Sequence, residues 1–150
     1  MNYLGIDPGL TGALVLIKSD PFEIIKVIDM PVTGGAVDPY VLNIEIQALK
    51  YNTDVTILED VHSMPKQGVA STFNFGRTKG VIEGVLAAND MRITYVSPQK
   101  WKRAMGLIKA PKYSQMKMAT QLFGTAEHWK LKKHKDRAEA ALMAAWFANK

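Results

Sequence analysis

Four carboxylates in this 150-residue chain stand where they could act together. Asp7 closes a short apolar run, Asn2 to Ile6, and opens the turn Asp7-Pro8-Gly9. Glu59 closes a second apolar run, Val55 to Leu58. Asp136 and Glu139 lie three apart, so on a helix they share one face with Cβ atoms roughly 5–6 Å apart. That face continues through Ala140, Met143 and Phe147, which points it at a core. Negative charges at the end of an inward-facing stripe are costly unless a cation neutralises them. Oxygen-only donors, in a chain without cysteine, suit the hard ions Mg²⁺ or Mn²⁺. Two such ions roughly 3.5–4 Å apart activate a water and stabilise the leaving oxygen of a phosphodiester. Singly, each acid has a plainer explanation: a turn former, a strand-end surface acid, or helix-start acids favoured by the dipole and paired with Lys135 or Arg137. Their joint placement, at two strand ends and one inward helix face, favours the metal site.

The charge distribution supplies the other half of that chemistry. The net charge is +5, but Ser97 to Lys135 alone holds ten basic residues against one acid, Glu127. A basic segment beside a mildly acidic body is the footprint of a protein that meets a polyanion. Lys100, Lys102, Arg103, Lys109, Lys112 and Lys117 interleave with Trp101 and Tyr113, and suit phosphate contacts. Lys109 or Lys112, in a loop before a helix, could reach a scissile phosphate. Lys130, Lys132, Lys133 and Lys135 extend the track, while Lys66, Arg77 and Lys79 add cations after Glu59. His134 could assist a water or a metal. The plainer alternatives are a solvated basic face and, for Trp101, a core anchor.

The elements that must position these groups follow from apolar patterning and turn chemistry. Hydrophobic residues are 47% and charged residues 22%, ordinary values for a globular chain. The length predicts a single domain, 1–150. No run approaches the ~20 apolar residues of a membrane span, and the first residues lack a signal-peptide layout. A cytoplasmic location is expected. Strands are predicted at Asn2 to Ile6, Ala13 to Lys18, Glu23 to Met30, Val55 to Leu58 and Met91 to Val96. Pro31 to Val37 reads as a loop. Asp38-Pro39 and Ser97-Pro98 are N-cap and first-turn signals, so helices are predicted from Pro39 to about Tyr51 and from Pro98 to about Met105. Further helices are predicted from about Ser71 to Asn89, from Tyr113 to Phe123, and from Lys135 onward. Three meander strands followed by αβ crossovers make an α/β fold, a mixed five-stranded sheet flanked by helices. Gly76, Gly80 and Gly84 recur every four residues on one helix, each costing ~1 kcal/mol against Ala. They would permit close approach of the sheet, another helix or a second subunit.

These motifs resemble the RuvC-like Holliday junction resolvases of the ribonuclease H superfamily, in the compact viral branch. Ile6-Asp7-Pro8-Gly9 with Thr11-Gly12 matches the family's opening motif, and Leu58-Glu59-Asp60-Val61 its fourth-strand acid. Phe75-Gly76 to Lys79-Gly80-Val81 resembles its glycine-containing helix. Val96-Ser97-Pro98 leading to Lys102 resembles its strand-to-basic junction, and Asp136-Arg137-Ala138-Glu139-Ala140 its final motif. Two departures stand out. Glu139 replaces an Asp usual in the cellular enzymes, and the stretch from Glu59 to Gly76 is about two residues longer.

The resemblance implies a ribonuclease H-like fold with Asp7, Glu59, Asp136 and Glu139 as catalytic and metal-binding residues, holding Mg²⁺ or Mn²⁺, two ions per site. It implies a homodimer that nicks opposed strands of a four-way DNA junction during recombination and repair, leaving 5′-phosphate and 3′-hydroxyl ends. No nucleotide cofactor or membrane is implied, and the host cytoplasm is the expected location for a viral member. His62, three after Glu59, matches the position of an aromatic that probes the junction centre. With Met64 and Lys66 it could wedge against an unstacked base. The alternatives are a non-catalytic binder of branched nucleic acid on the same fold and a phosphate-cradling ATPase or sugar kinase. The latter needs two such domains.

Overall fold

The computed structural model describes all 150 residues. Its sheet begins with β1 (Asn2–Asp7), β2 (Ala13–Lys18) and β3 (Glu23–Asp29), three short strands paired antiparallel. A small hairpin follows, β4 (Val32–Thr33) and β5 (Ala36–Val37), where the sequence reads as loop. Gly34 and Gly35 at its tip take positive φ, so the chain reverses in too few residues to show a strand pattern. Asp38 caps α1 (Pro39–Leu49) by accepting the Tyr40 and Val41 amides. The remaining elements are β6 (Val55–Glu59), α2 (Val69–Ala88), β7 (Ile93–Val96), α3 (Pro98–Ala104), α4 (Ser114–Phe123) and α5 (Lys135–Ala148). Helix α2 starts two residues before the expected Ser71, and β7 two after Met91.

The five-stranded sheet has the order β3-β2-β1-β6-β7, with β1, β6 and β7 parallel. Ile6 pairs with Leu58, so the next residues, Asp7 and Glu59, stand level at the carboxyl ends of neighbouring strands. Strand alternation sends Leu4, Ile6, Leu14, Leu16 and Leu58 to one face, under α1 and α2. Tyr3, Ala13, Val15, Ile17 and Ile57 go to the other, under α5. Asp7 and Glu59 therefore point to the α5 face.

Helix α5 lies close to that face because Gly5 has no side chain: a Cβ there would collide with the Ala140 carbonyl. Its burial is broader than a single inward stripe. Ala138 through Ala145 are all buried, because α3, α4 and the turn at Glu127–Trp129 cover the outer side. At Gly76, Gly80 and Gly84 an added Cβ would meet nothing within 4 Å. Those glycines are not spacers against the sheet or a helix of their own chain. No helix is long and apolar enough to cross a membrane.

Candidate active site

Strand pairing and the α5 approach converge on one pocket of acids. Ligand oxygens of Asp7, Asp136 and Glu139 all lie within 4.8 Å of one another. Glu59 stands beside them, its charge acting on Asp7 and theirs on it. Asp7, Glu59 and Glu139 are buried and Asp136 is half-buried. Burial pushes the Asp7 carboxyl well above the ordinary range, and repulsion from Glu59, Asp136 and Glu139 adds to it. Burial also raises Glu59 and Asp136, against the hydrogen bonds that each accepts. A site that resists its own negative charge, built from oxygen donors alone, fits a hard divalent cation.

Local contacts hold each acid in place. The Trp101 indole Nε1–H donates to Glu59 Oε1 at 2.9 Å inside the core. The Thr11 hydroxyl donates to Asp136 Oδ2 at 3.0 Å. Gln115 Nε2 donates to Glu139 Oε1 at 2.9 Å, and Lys102 Nζ to Glu139 Oε2 at 3.2 Å. Lys135 Nζ stands 3.9 Å from Glu139 and 4.0 Å from Asp136. Gly12 keeps the Asp7 turn tight, since a Cβ there would strike the Asp7 carbonyl. Sequence reasoning misses Thr11 and Gln115 as partners, and reads Trp101 either as part of the basic segment or as a core anchor; it is fully buried and a partner of Glu59 as well. A threonine four residues after Asp7, inside the first motif, is the one available signal.

Other singled-out residues fall elsewhere. Arg137 does not pair with the acids; it grips Asp29 through two 2.7 Å hydrogen bonds and holds Asp29 below the usual carboxylate range. His134 turns the same way. Its Nδ1 accepts the Leu131 amide at 3.3 Å, and burial, with Arg137 next, lowers its affinity for a proton. His62 is exposed, 3.4 Å from Asp60. Lys79 bonds Asp60 at 2.7 Å. Lys66, Arg77, Lys100, Arg103, Lys109, Lys112, Lys117, Lys130, Lys132 and Lys133 are exposed. Lys112 and Lys132 lie over the Tyr113 ring at 5.3 and 5.7 Å.

No family model matches the sequence, and no curated protein matches it in sequence. Solved structures do match in shape. Thermus thermophilus RuvC superposes with a TM-score of 0.73 at 16% identity, over 99% of this chain and 96% of that one. The chain has the ribonuclease H-like fold of RuvC. T. thermophilus RuvC in complex with its Holliday junction substrate superposes equally, with a TM-score of 0.73 at 16% identity, over 99% of this chain and 95% of that one. The Fowlpox virus resolvase, solved with substrate Holliday junction DNA, is a looser match, with a TM-score of 0.48 at 15% identity over 94% of this chain and 96% of that one.

Proposed function

We propose that the chain is a metal-dependent, structure-selective DNA endonuclease, one domain over 1–150, that resolves four-way junctions or related branches by paired nicks. The observation that carries this is the convergence of Asp7, Asp136 and Glu139 oxygens within 4.8 Å, beside Glu59, on the fold of RuvC. Asp7, Glu59, Asp136 and Glu139 would hold Mg²⁺ or Mn²⁺. When bound, such ions lower the pKa of water and neutralise charge at a phosphodiester.

The chain's own residues do the rest. Trp101 and Thr11 each fix one oxygen, of Glu59 and of Asp136, leaving the other free to ligate, whereas both Glu139 oxygens are held, by Gln115 and Lys102. Lys102 and Lys135 are the members of the basic segment that pair with the acids, and would meet a phosphate oxygen there. The exposed lysines from Lys100 to Lys133 supply backbone affinity, and Lys109 and Lys112 lie in the loop between α3 and α4. Products with 5′-phosphate and 3′-hydroxyl ends are expected from in-line attack. Two-fold junction symmetry calls for a homodimer, and the open glycine face of α2 is the surface assigned to it. The proposed location is the cytoplasm of the source cell or of the host.

The test is to incubate the protein with a four-way junction in Mg²⁺, beside EDTA and beside Asp7→Asn and Asp136→Asn. Wild type should nick opposed strands and leave ends that a DNA ligase reseals. Both variants should bind without cutting. Equal cutting by the variants, or none with any divalent ion, refutes the assignment; binding without cutting at any metal concentration favours the non-catalytic alternative.

A further inference from the structure

A cleft of about 220 Å³ opens on the α2 side of the sheet end where β1 and β6 deliver Asp7 and Glu59, with none of the four acids in its lining. One wall is Pro8-Gly9-Leu10, which continues the chain from Asp7, so the cleft begins within about 7 Å of that residue along the backbone. The tip of the β4–β5 hairpin and Val61, just beyond Glu59, form the next walls. Helix α2 closes the last side with Asn74, Phe75 and Arg77. The first turns of α2 are exposed almost all round, so this end of the helix overhangs the body, while Ile82 and Leu86 in its later turns pack on the sheet.

We propose that this cleft receives one nucleobase, extruded from the bound DNA strand next to the phosphate that is cut, with guanine preferred. The proposal rests on the nuclease assignment above and names a specificity site for it.

Size, lining and uncommitted donors all support it. Pockets for drug-sized ligands run to ~300–1,000 Å³, so this cleft suits a single planar ring system rather than a whole nucleoside. Phe75 gives a stacking surface and Val61 and Leu10 an apolar one. The neighbouring Gln67 and Lys79 are occupied, by Met64 and Ser71 and by Asp60 respectively. The Asn74 amide and the Arg77 guanidinium have no hydrogen-bond partner within the chain. Asn and Arg are the side chains that read purine edges with paired hydrogen bonds, and Arg, a donor only, selects the adjacent acceptors of guanine. Enzymes that hold a base outside the stack likewise sandwich it between aromatic and apolar side chains and hydrogen-bond its edge.

Two measurements test this. Asp7→Asn, which should bind without cutting, is mixed with junctions carrying a single 2-aminopurine at successive positions around the crossover. Unstacking into the cleft should brighten the probe at one nucleotide and not at its neighbours. Wild type is then given junctions that differ in that one base. Guanine should be cut roughly 5- to 150-fold faster than the other bases, and Arg77→Ala should lower that ratio. Arg77→Lys keeps the charge and loses the fork, so it too should flatten the ratio. A quenched probe at every position, equal cutting of all four bases, or a ratio that survives these substitutions overturns the cleft assignment and leaves the nuclease standing. Failure of Asp7→Asn to bind any junction overturns both.

Discussion

Trp101 carries the sharpest prediction. Its ring is fully buried, and its indole N–H reaches Glu59 Oε1 at 2.9 Å across a segment in which Glu59 is only 5% exposed. Trp101→Phe keeps most of the ring and removes the one donor. A hydrogen bond to a charged group contributes about 1.5–3 kcal/mol, which is roughly 10- to 150-fold in an equilibrium. If that energy holds Glu59 in its ligating orientation, Mn²⁺ affinity should fall by this factor, and cutting should recover at higher metal concentration. The bond also holds the Glu59 proton affinity down against burial. Its loss lets that affinity rise, so the acid limb of the pH–rate profile should move to higher pH. The assays are Mn²⁺ titration by electron paramagnetic resonance and junction cleavage across pH. An internal control exists: Trp129 is also buried and donates its indole N–H to the Thr120 hydroxyl at 2.9 Å, away from the acids. Trp129→Phe should cost folding stability and leave metal affinity alone. Metal affinity and acid limb unchanged in Trp101→Phe, or shifted equally in both variants, would refute the idea that Trp101 positions Glu59.

The ion-free protein should be limited by its own carboxylates. Asp7, Glu59 and Asp136 hold protons more tightly in the fold than at their ordinary values of 3.8 to 4.5. Their contribution to stability is therefore complete below those values and is lost as pH rises through the raised ones. Ion-free Asp7→Asn should melt above wild type at pH 8, by ~2–4 °C per kcal/mol relieved, with the gap closing toward pH 4; a lower melting temperature at pH 8 contradicts it. Lys102→Met leaves the buried Glu139 without its 3.2 Å counter-charge. A loss of roughly 1–3 kcal/mol is expected without metal, recovered in Mg²⁺, and thermal melts with and without the ion decide it. Replacing Lys130, Lys132 and Lys133 with Gln should reduce the slope of log affinity against log salt by roughly one for each of these lysines that touches a phosphate, and an unchanged slope takes them off the DNA track. Gly80→Leu should shift a dimer toward monomer in sedimentation, since a side chain there meets nothing in its own chain; an undisturbed dimer does not use that face.

What is legible in the sequence is local. Apolar runs ending in acids mark β1 and β6, and Asp38-Pro39 and Ser97-Pro98 mark helix starts that the backbone adopts with the capping bonds expected of them. The i, i+3 spacing correctly puts Asp136 and Glu139 together, because one helix carries both. The hidden part depends on pairings between distant segments. Nothing near Gly5 announces that Ala140 will lie on it, and nothing near Thr11 announces Asp136, 125 residues away. Arg137 shows the same limit in reverse. Beside Asp136 in sequence, it turns to Asp29 because the helix sends consecutive residues to different sides.

The same rotation explains how α3 joins the two halves of the molecule. Pro98 in its first turn and the Ser97 cap, which accepts the Lys100 amide, set where the helix starts. Successive residues then point about 100° apart. Trp101 enters the core and meets Glu59, while Lys102 swings round its edge and meets Glu139. A shift of this helix by one residue would put a lysine in the core and an indole at the rim. The seven residues of α3 thus grip carboxylates from β6 and from α5 at once, and they also begin the basic segment. Affinity for a polyanion and geometry of the acids are consequently coupled. Under the nuclease proposal, a phosphate that drew Lys102 away from Glu139 would remove positive charge from the acid cluster and raise its demand for a divalent cation.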